Sequence, residues 1–277
     1  MENYTIISNN KRNYGIDLLR LVLMYMVCVL HTLGQGGILS ASEGGSIGYK
    51  TFWLIEIMAY CAVDGFALIS GYMATGKPRR FEKLADMWFQ VFFYSFIVTG
   101  FLTLMGVNEY FGKAEMIECA LPVTFGKFWY FTAFFALFFA IPILDKFVFS
   151  INECIAKKAL LIAIFLYSIL GIVMDPFRSR AGYSALWLMV LYVVGALARK
   201  IRLFETRKTV SLIITWIVCI LITWIVQVWG NGILTNYISP TILLSGLIMV
   251  ILFSRIHLKG TVISKLSLWP LAYICFS

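Results

Sequence analysis

Long stretches without charged side chains constrain this chain more than any other feature of its sequence. Residues 87–108, 181–198 and 209–254 contain no Asp, Glu, Lys or Arg. The last stretch is long enough for two membrane-spanning helices of about 20 residues each, with Asn, Gly and Pro residues in 231–240 to form the turn between them. None of these stretches alternates in polarity as the strands of a membrane barrel do. The sequence therefore predicts an all-α, polytopic bundle of transmembrane helices.

The number of spans follows from the apolar runs and the breaks between them. With 61% hydrophobic and 13% charged residues, the composition excludes a soluble globular domain. We predict eight full spans, at about 14–35, 51–74, 86–106, 128–146, 157–174, 183–199, 209–229 and 238–254. Residues 266–277 begin a ninth, but their length reaches only about 18 Å of a core near 30 Å. A cytoplasmic lead-in (1–13) and a C-terminally incomplete transmembrane domain (14–277) are therefore expected.

The distribution of basic residues predicts the orientation. The chain has 23 Lys and Arg residues and a net charge of +9. If the N-terminus is cytoplasmic, most of them fall in inner loops, as the positive-inside rule requires. The outer side then carries only Lys50, Lys113, Lys127, Arg178 and Arg180. This pattern indicates a multi-pass protein of the cell membrane, in contact with membrane lipid, and argues against nucleic-acid binding. The six cysteines are scattered singly, so neither a disulfide framework nor a metal site is expected.

The first apolar run, Tyr14 to Gly37, carries three ionisable residues: Asp17, Arg20 and His31. A charged group inside a spanning segment costs about 2.5–3.5 kcal/mol, so it usually faces a cavity and marks function. Eleven helical steps place Arg20 and His31 within about 20° of one another around the helix and about 16 Å apart along it. Asp17 lies one turn before Arg20, at ion-pair spacing. This helix is therefore the predicted location of the chemistry.

These residues and two later segments resemble the membrane acyltransferase-3 family. The family-like features of the first helix are a D-x-x-R followed by ten residues and a histidine. In the segment AVDGFALISGY at 62–72, Phe66, Ser70, Gly71 and Tyr72 resemble the family's aromatic and small-residue turn. The segment FWYF at 128–131 resembles the family's aromatic W-Y-x motif. The chain is also similar to the membrane part of vancomycin-resistance-type membrane serine racemases, whose membrane half has been linked to serine uptake. The resemblance implies transfer of acyl groups from a cytoplasmic coenzyme A thioester to extracytoplasmic acceptors such as surface polysaccharides.

In this interpretation the first helix supplies the catalytic residues. His31 is the catalytic base, since a neutral imidazole can take the proton of a hydroxyl that attacks a thioester carbonyl. Arg20, held by Asp17, faces a pore and binds the phosphates or the amide-rich arm of the donor. The alternatives are structural: His31 can hydrogen-bond a neighbouring helix, and Arg20 can anchor the inner boundary by reaching the lipid headgroups.

The other candidate site residues also have structural alternatives. Trp129 and Tyr130 are predicted to bind the acceptor substrate, although an interfacial aromatic belt explains them as well. Glu56 is a third predicted substrate-binding residue; it and Asp64 are buried carboxylates of the second span, and either can orient His31. In the segment 62–72, close helix packing by small residues explains the pattern as well as a direct role does.

A basic patch after the second span is the predicted cofactor-binding site. Lys77, Arg79 and Arg80 can bind the phosphates of coenzyme A, or they can serve only as positive-inside anchors. The favoured function is a membrane O-acyltransferase that moves an acyl group, with acetyl preferred, from acyl-CoA to a glycan or other hydroxyl acceptor. The alternatives are a transporter of a small solute such as serine, and an inactive truncated relative. The sequence leaves a homo-oligomer open.

Overall fold

A computed structural model describes residues 12–76, 81–106, 112–126 and 128–258, which form helices joined by short loops. The helices, in chain order, are α1 (Tyr14–Leu30), α2 (Ile38–Ala41), α3 (Ile47–Tyr72), α4 (Phe81–Leu104), α5 (Lys113–Ala120), α6 (Trp129–Ser150), α7 (Glu153–Ile164), α8 (Leu170–Met174), α9 (Ala185–Lys200), α10 (Thr209–Trp229) and α11 (Pro240–Ser254). A π-helical turn, His31–Gln35, continues α1, and a second one, Phe165–Ile169, joins α7 to α8. These ranges contain no strand, and the predicted all-α class is confirmed.

Six helical segments of the described residues are long and apolar enough to cross a membrane. They are Tyr14–Gln35, Ile47–Tyr72, Phe81–Leu104, Trp129–Ser150, Glu153–Met174 and Thr209–Trp229. The other two predicted spans correspond to α9 and α11, which have 16 and 15 residues and reach about 22–24 Å. Both are among the most buried helices, so they lie inside the bundle. The predicted ninth span lies outside the described residues.

Polar residues at the ends of the apolar runs determine where several helices begin. The Asn13 side chain accepts hydrogen bonds from the backbone N–H groups of Gly15 and Ile16, at 3.0 and 3.2 Å, and its Nδ2 donates to the Ser254 carbonyl at 3.0 Å. Asn13 therefore caps α1 and also attaches it to the end of α11. Ser46 and Ser184 accept from backbone N–H groups in the same way and cap α3 and α9.

Helix α3 is the centre of the bundle and packs against α1, α9 and α11. Its contact with α9 is close because each helix presents a glycine to the other's backbone. A Cβ on Gly71 would lie 1.8 Å from the Tyr192 carbonyl oxygen, and one on Gly195 would lie 2.2 Å from that of Leu68. Small residues permit such close helix packing in membranes. Gly71 belongs to the family-like segment 62–72, and this contact supports the packing explanation for that segment.

The two ends of the bundle differ in charge. At the end that contains Asn13, Tyr72, Lys200 and Ser254, which we call the basic end, cationic side chains bind backbone carbonyls near helix C-termini. Arg199 donates to the Tyr72 carbonyl at 2.9 Å, and Lys200 donates to that of Val148 at 2.7 Å. The opposite end contains His31 and the start of α3. The described cations there are few and include Lys50, Arg178 and Arg180. This asymmetry fits the predicted positive-inside orientation, which stays a prediction.

Candidate active site

Asp17 is a buried carboxylate that holds two arginines near the basic end of α1. It is 4% exposed. Its Oδ1 lies 2.8 Å from Nη1 of Arg20, and its Oδ2 lies 2.5 Å from Nε of Arg12. The Asp17–Arg20 pair is the one that their spacing predicts. Arg12 was not predicted as a site residue, although a cation five residues before Asp17 was the available signal. Asp17 therefore fixes the positions of two guanidinium groups at this end of α1.

His31 lies at the other end of the same helix, where the backbone changes from α to π geometry. Its Nδ1 lies 2.7 Å from Oε1 of Gln35, at the other end of the five-residue π-turn. With the Gln35 amide oxygen as the acceptor, the tautomer of neutral His31 is the one with its hydrogen on Nδ1 and a lone pair on Nε2. The imidazole ring is exposed. A general base needs a free lone pair of this kind to accept a proton, and π-turns occur frequently at functional sites.

Arg20 and His31 lie along one regular helix, as their predicted relation requires. Helix α1 is regular from Tyr14 to Leu30, and His31 itself has α-helical angles (φ −66°, ψ −39°). The two side chains therefore keep the predicted angular relation of about 20° and the spacing of about 16 Å. Arg20 is half-buried and His31 is exposed. Their roles as donor-binding residue and base stay predictions.

Glu56 lies beside the turn that His31 begins. The residue is 5% exposed, and its Oε1 is 3.3 Å from the place that a Cβ on Gly34 would occupy. Its Oε2 is buried and has no hydrogen-bond partner among the described residues. Of the two carboxylates predicted as candidates for orienting His31, Glu56 is therefore the one that lies beside the π-turn His31–Gln35. The partner of the imidazole, however, is Gln35. The sequence pattern did not single out Gln35, although its i, i+4 spacing from His31 was a usable signal.

Asp64 lies about two helical turns after Glu56 in α3 and has a different environment. It is fully buried, and its Oδ1 accepts a 3.0 Å hydrogen bond from Nε1 of Trp187 on α9. Its Oδ2 has no partner in the described part of the chain. These contacts place Asp64 in the α3–α9 interface rather than beside His31.

Trp129 and Tyr130 begin α6 at the end of the bundle opposite the basic end, and their side chains contact different parts of the bundle. The Tyr130 hydroxyl donates to the Val63 carbonyl of α3 at 3.5 Å. Trp129 belongs to an aromatic cluster with Tyr60, Tyr183 and Tyr237. Its ring centroid lies 4.6 Å from that of Tyr183 and 6.0 Å from that of Tyr237, while Tyr60 lies 5.3 Å from Tyr237. Tyr60, Tyr183 and Tyr237 were not predicted.

Two loops hold Tyr183 and Tyr237 together. The Tyr237 N–H donates to the Ala181 carbonyl at 3.1 Å, and the Asp175 carboxylate accepts from the N–H and hydroxyl of Ser179 at 2.7 and 2.5 Å. Gly182 has φ +100°, and a Cβ there would lie 2.4 Å from Cβ of Tyr237, so this close approach requires glycine. Burial, followed by the neighbouring Tyr183, raises the pKa of Tyr237 above its ordinary value, which keeps the Tyr237 hydroxyl neutral.

The predicted cofactor-binding residues Lys77, Arg79 and Arg80 lie outside the described residues. Within the described ranges, no three His, Cys, Asp or Glu side chains are grouped so that they could hold a metal ion.

The bundle and its family likeness together define the class of this protein as a multi-pass membrane acyltransferase. A model of the acyltransferase-3 family, described as an acyltransferase domain, matches residues 13–275. The chain therefore belongs to the acyltransferase-3 family. No curated protein and no solved structure matches the chain. The similarity to membrane serine racemases stays a prediction.

Proposed function

We propose that this protein transfers an acyl group, with acetyl preferred, from cytoplasmic acyl-CoA to an extracytoplasmic hydroxyl acceptor such as a cell-surface polysaccharide. In this proposal it resides in the cell membrane with its N-terminus and its basic end in the cytoplasm. The observation that carries the proposal is the 2.7 Å contact between Nδ1 of His31 and Oε1 of Gln35. It orients the imidazole and leaves the Nε2 lone pair to accept a proton.

The chemical step needs one base and no covalent enzyme intermediate. Nε2 of His31 takes the proton of the acceptor hydroxyl while the hydroxyl oxygen attacks the carbon of the thioester carbonyl. The new C–O bond forms, the C–S bond breaks, and the coenzyme A thiolate leaves. The thiolate then takes the proton from the imidazolium, which restores neutral His31. The products are the acyl ester and free coenzyme A.

The donor enters from the basic end in this proposal. Arg20, held at 2.8 Å by Asp17, binds the phosphates or amide groups of the donor, together with Lys77, Arg79 and Arg80. The distance of about 16 Å between Arg20 and His31 suits an extended pantetheine arm. The thioester then meets an acceptor that enters at the opposite end past Glu56, Trp129 and Tyr130, and the whole donor need not cross the membrane.

The test is release of the coenzyme A thiol by purified protein in lipid nanodiscs, supplied with acetyl-CoA and a glycan acceptor. His31→Ala is expected to reduce the rate by about 10²–10⁴-fold, the usual contribution of a general base, and Arg20→Ala is expected to reduce it as well. His257→Ala removes the exposed histidine near the end of α11 and is the matched control. Undiminished transfer by both site variants at normal expression would overturn the proposal. Serine counterflow in liposomes without thiol release would indicate a transporter instead.

A further inference from the structure

Glu56 is a buried carboxylate with an electrostatic requirement that the described chain does not meet. Within the described ranges, its Oε2 has no hydrogen-bond partner, and no Lys, Arg or His forms an ion pair with its carboxylate. Lys50, the nearest cation along α3, instead has its ammonium 5.5 Å from the centre of the Trp229 ring. A buried carboxylate without a cation or a full set of hydrogen-bond donors is costly. Protonation removes that cost, and so does a cationic ligand, which leaves the carboxylate ionised.

A cluster of aromatic rings begins one helical turn from Glu56 and continues to the loops that precede α9 and α11. Tyr60 follows Glu56 by four residues in α3, so the two side chains lie on the same face of that helix, one turn apart. The Tyr60 ring contacts the ring of Tyr237, which in turn contacts the rings of Tyr183 and Trp129. Tyr183 is 47% exposed, so the aromatic surface extends from the buried carboxylate to the outside. Aromatic faces attract ammonium groups, and this is the usual way in which proteins recognise quaternary ammonium ligands.

We infer that Glu56 and Tyr60 bind the ammonium group of a cationic ligand, and that Tyr183 and Trp129 form the aromatic surface past which it enters. The further step, that this cationic ligand is the acyl acceptor, rests on the proposed function. The acceptor is then an amino alcohol or an amino sugar unit, with a hydroxyl near a positively charged nitrogen. Glu56 lies against Gly34, three residues beyond His31. An ammonium group bound at Glu56 therefore places a neighbouring hydroxyl on the side of the His31 turn.

The first test measures binding without any reaction. Tetramethylammonium chloride is titrated against the detergent-solubilised protein and its affinity is read from the shift in melting temperature, with sodium chloride at equal ionic strength as the reference. We expect Glu56→Gln to weaken binding by at least about tenfold and Tyr183→Leu by a few-fold. Asp64→Asn is the matched control, because it removes a second buried carboxylate of α3 that accepts a hydrogen bond from Trp187, and it should bind like the wild type. Equal binding by wild type and Glu56→Gln would overturn the inference.

The second test compares acceptors of equal size. Glucosamine and glucose are supplied with acetyl-CoA, and the ester product is quantified by mass spectrometry. The wild type is expected to prefer glucosamine by about tenfold or more in kcat/KM, and Glu56→Gln should lower kcat/KM for glucosamine more than for glucose, so that the preference is lost. A Glu56→Gln variant that slows both acceptors by the same factor would refute the cation site and leave the proposed acyl transfer intact. Absence of any transfer would refute the proposed function, whereas the tetramethylammonium titration would still test the site.

Discussion

Nε1 of Trp187 and Oδ1 of Asp64 form a 3.0 Å hydrogen bond between two side chains that are fully buried in the α3–α9 interface. A buried donor that loses its acceptor costs about 1–3 kcal/mol. Asp64→Leu is therefore expected to lower the melting temperature of the solubilised protein. Asp64→Asn keeps an oxygen acceptor and should remain close to the wild type.

The same pair can be examined with a double-mutant cycle. Trp187→Phe removes the donor and leaves Asp64 without that bond. If the hydrogen bond matters as described, the losses of Asp64→Leu and Trp187→Phe combine to less than their sum in the double variant. Strict additivity in thermal unfolding would show that the two side chains act independently.

Close approach of α3 and α9 at Gly71 gives a second prediction. A Cβ on Gly71 would lie 1.8 Å from the Tyr192 carbonyl oxygen, and backbone cannot move aside as a flexible side chain does. Gly71→Ala is expected to destabilise the protein by roughly 1–3 kcal/mol, the usual cost of overpacking, and to lower its melting temperature. Gly100→Ala on α4 is the control, because a Cβ there meets nothing within 4 Å. It should be neutral or stabilising by up to about 1 kcal/mol. Similar melting temperatures for the two variants would contradict the packing described.

The sequence predicted the helices well because their boundaries depend on local chemistry. Helix α10 begins after Lys208, where the uncharged run starts, and ends before Gly230, next to the Asn and Gly residues that predict a turn. The Asp17–Arg20 ion pair was likewise predictable, since it needs only helical spacing. The aromatic cluster was not, because Trp129, Tyr183 and Tyr237 come from α6 and two distant loops. Their contacts exist only once the bundle has formed, and no local pattern in the sequence encodes them.

Asp17 provides a third prediction, which concerns donor binding. If its carboxylate holds Arg20 ready for the donor, Asp17→Asn should raise the KM for acyl-CoA by about tenfold and leave kcat nearly unchanged. The measurement is the initial rate of thiol release at increasing acyl-CoA. Glu205→Gln is the matched control, since it removes an exposed ion pair with Arg202 (3.8 Å) and should not change the kinetics. An unchanged KM with a reduced kcat would show instead that Asp17 acts on the chemical step.

The hydrogen bond from His31 to Gln35 gives the last prediction, which distinguishes a positioning role from a structural one. Gln35→Leu removes the acceptor for Nδ1–H, and we expect kcat to fall by about 10–100-fold because the imidazole loses its orientation and its preferred tautomer. Gln35→Glu keeps an acceptor and should retain much of the activity. The rising limb of the pH–rate profile of Gln35→Glu should move to higher pH. A nearby carboxylate favours the protonated imidazole, and the base must be neutral to react. Thr32→Val, which removes a hydroxyl of the same turn that donates to the Cys28 carbonyl at 2.9 Å, is the control and should keep both rate and pH profile. A Gln35→Glu variant with the wild-type pH profile would mean that residue 35 does not contact the catalytic base.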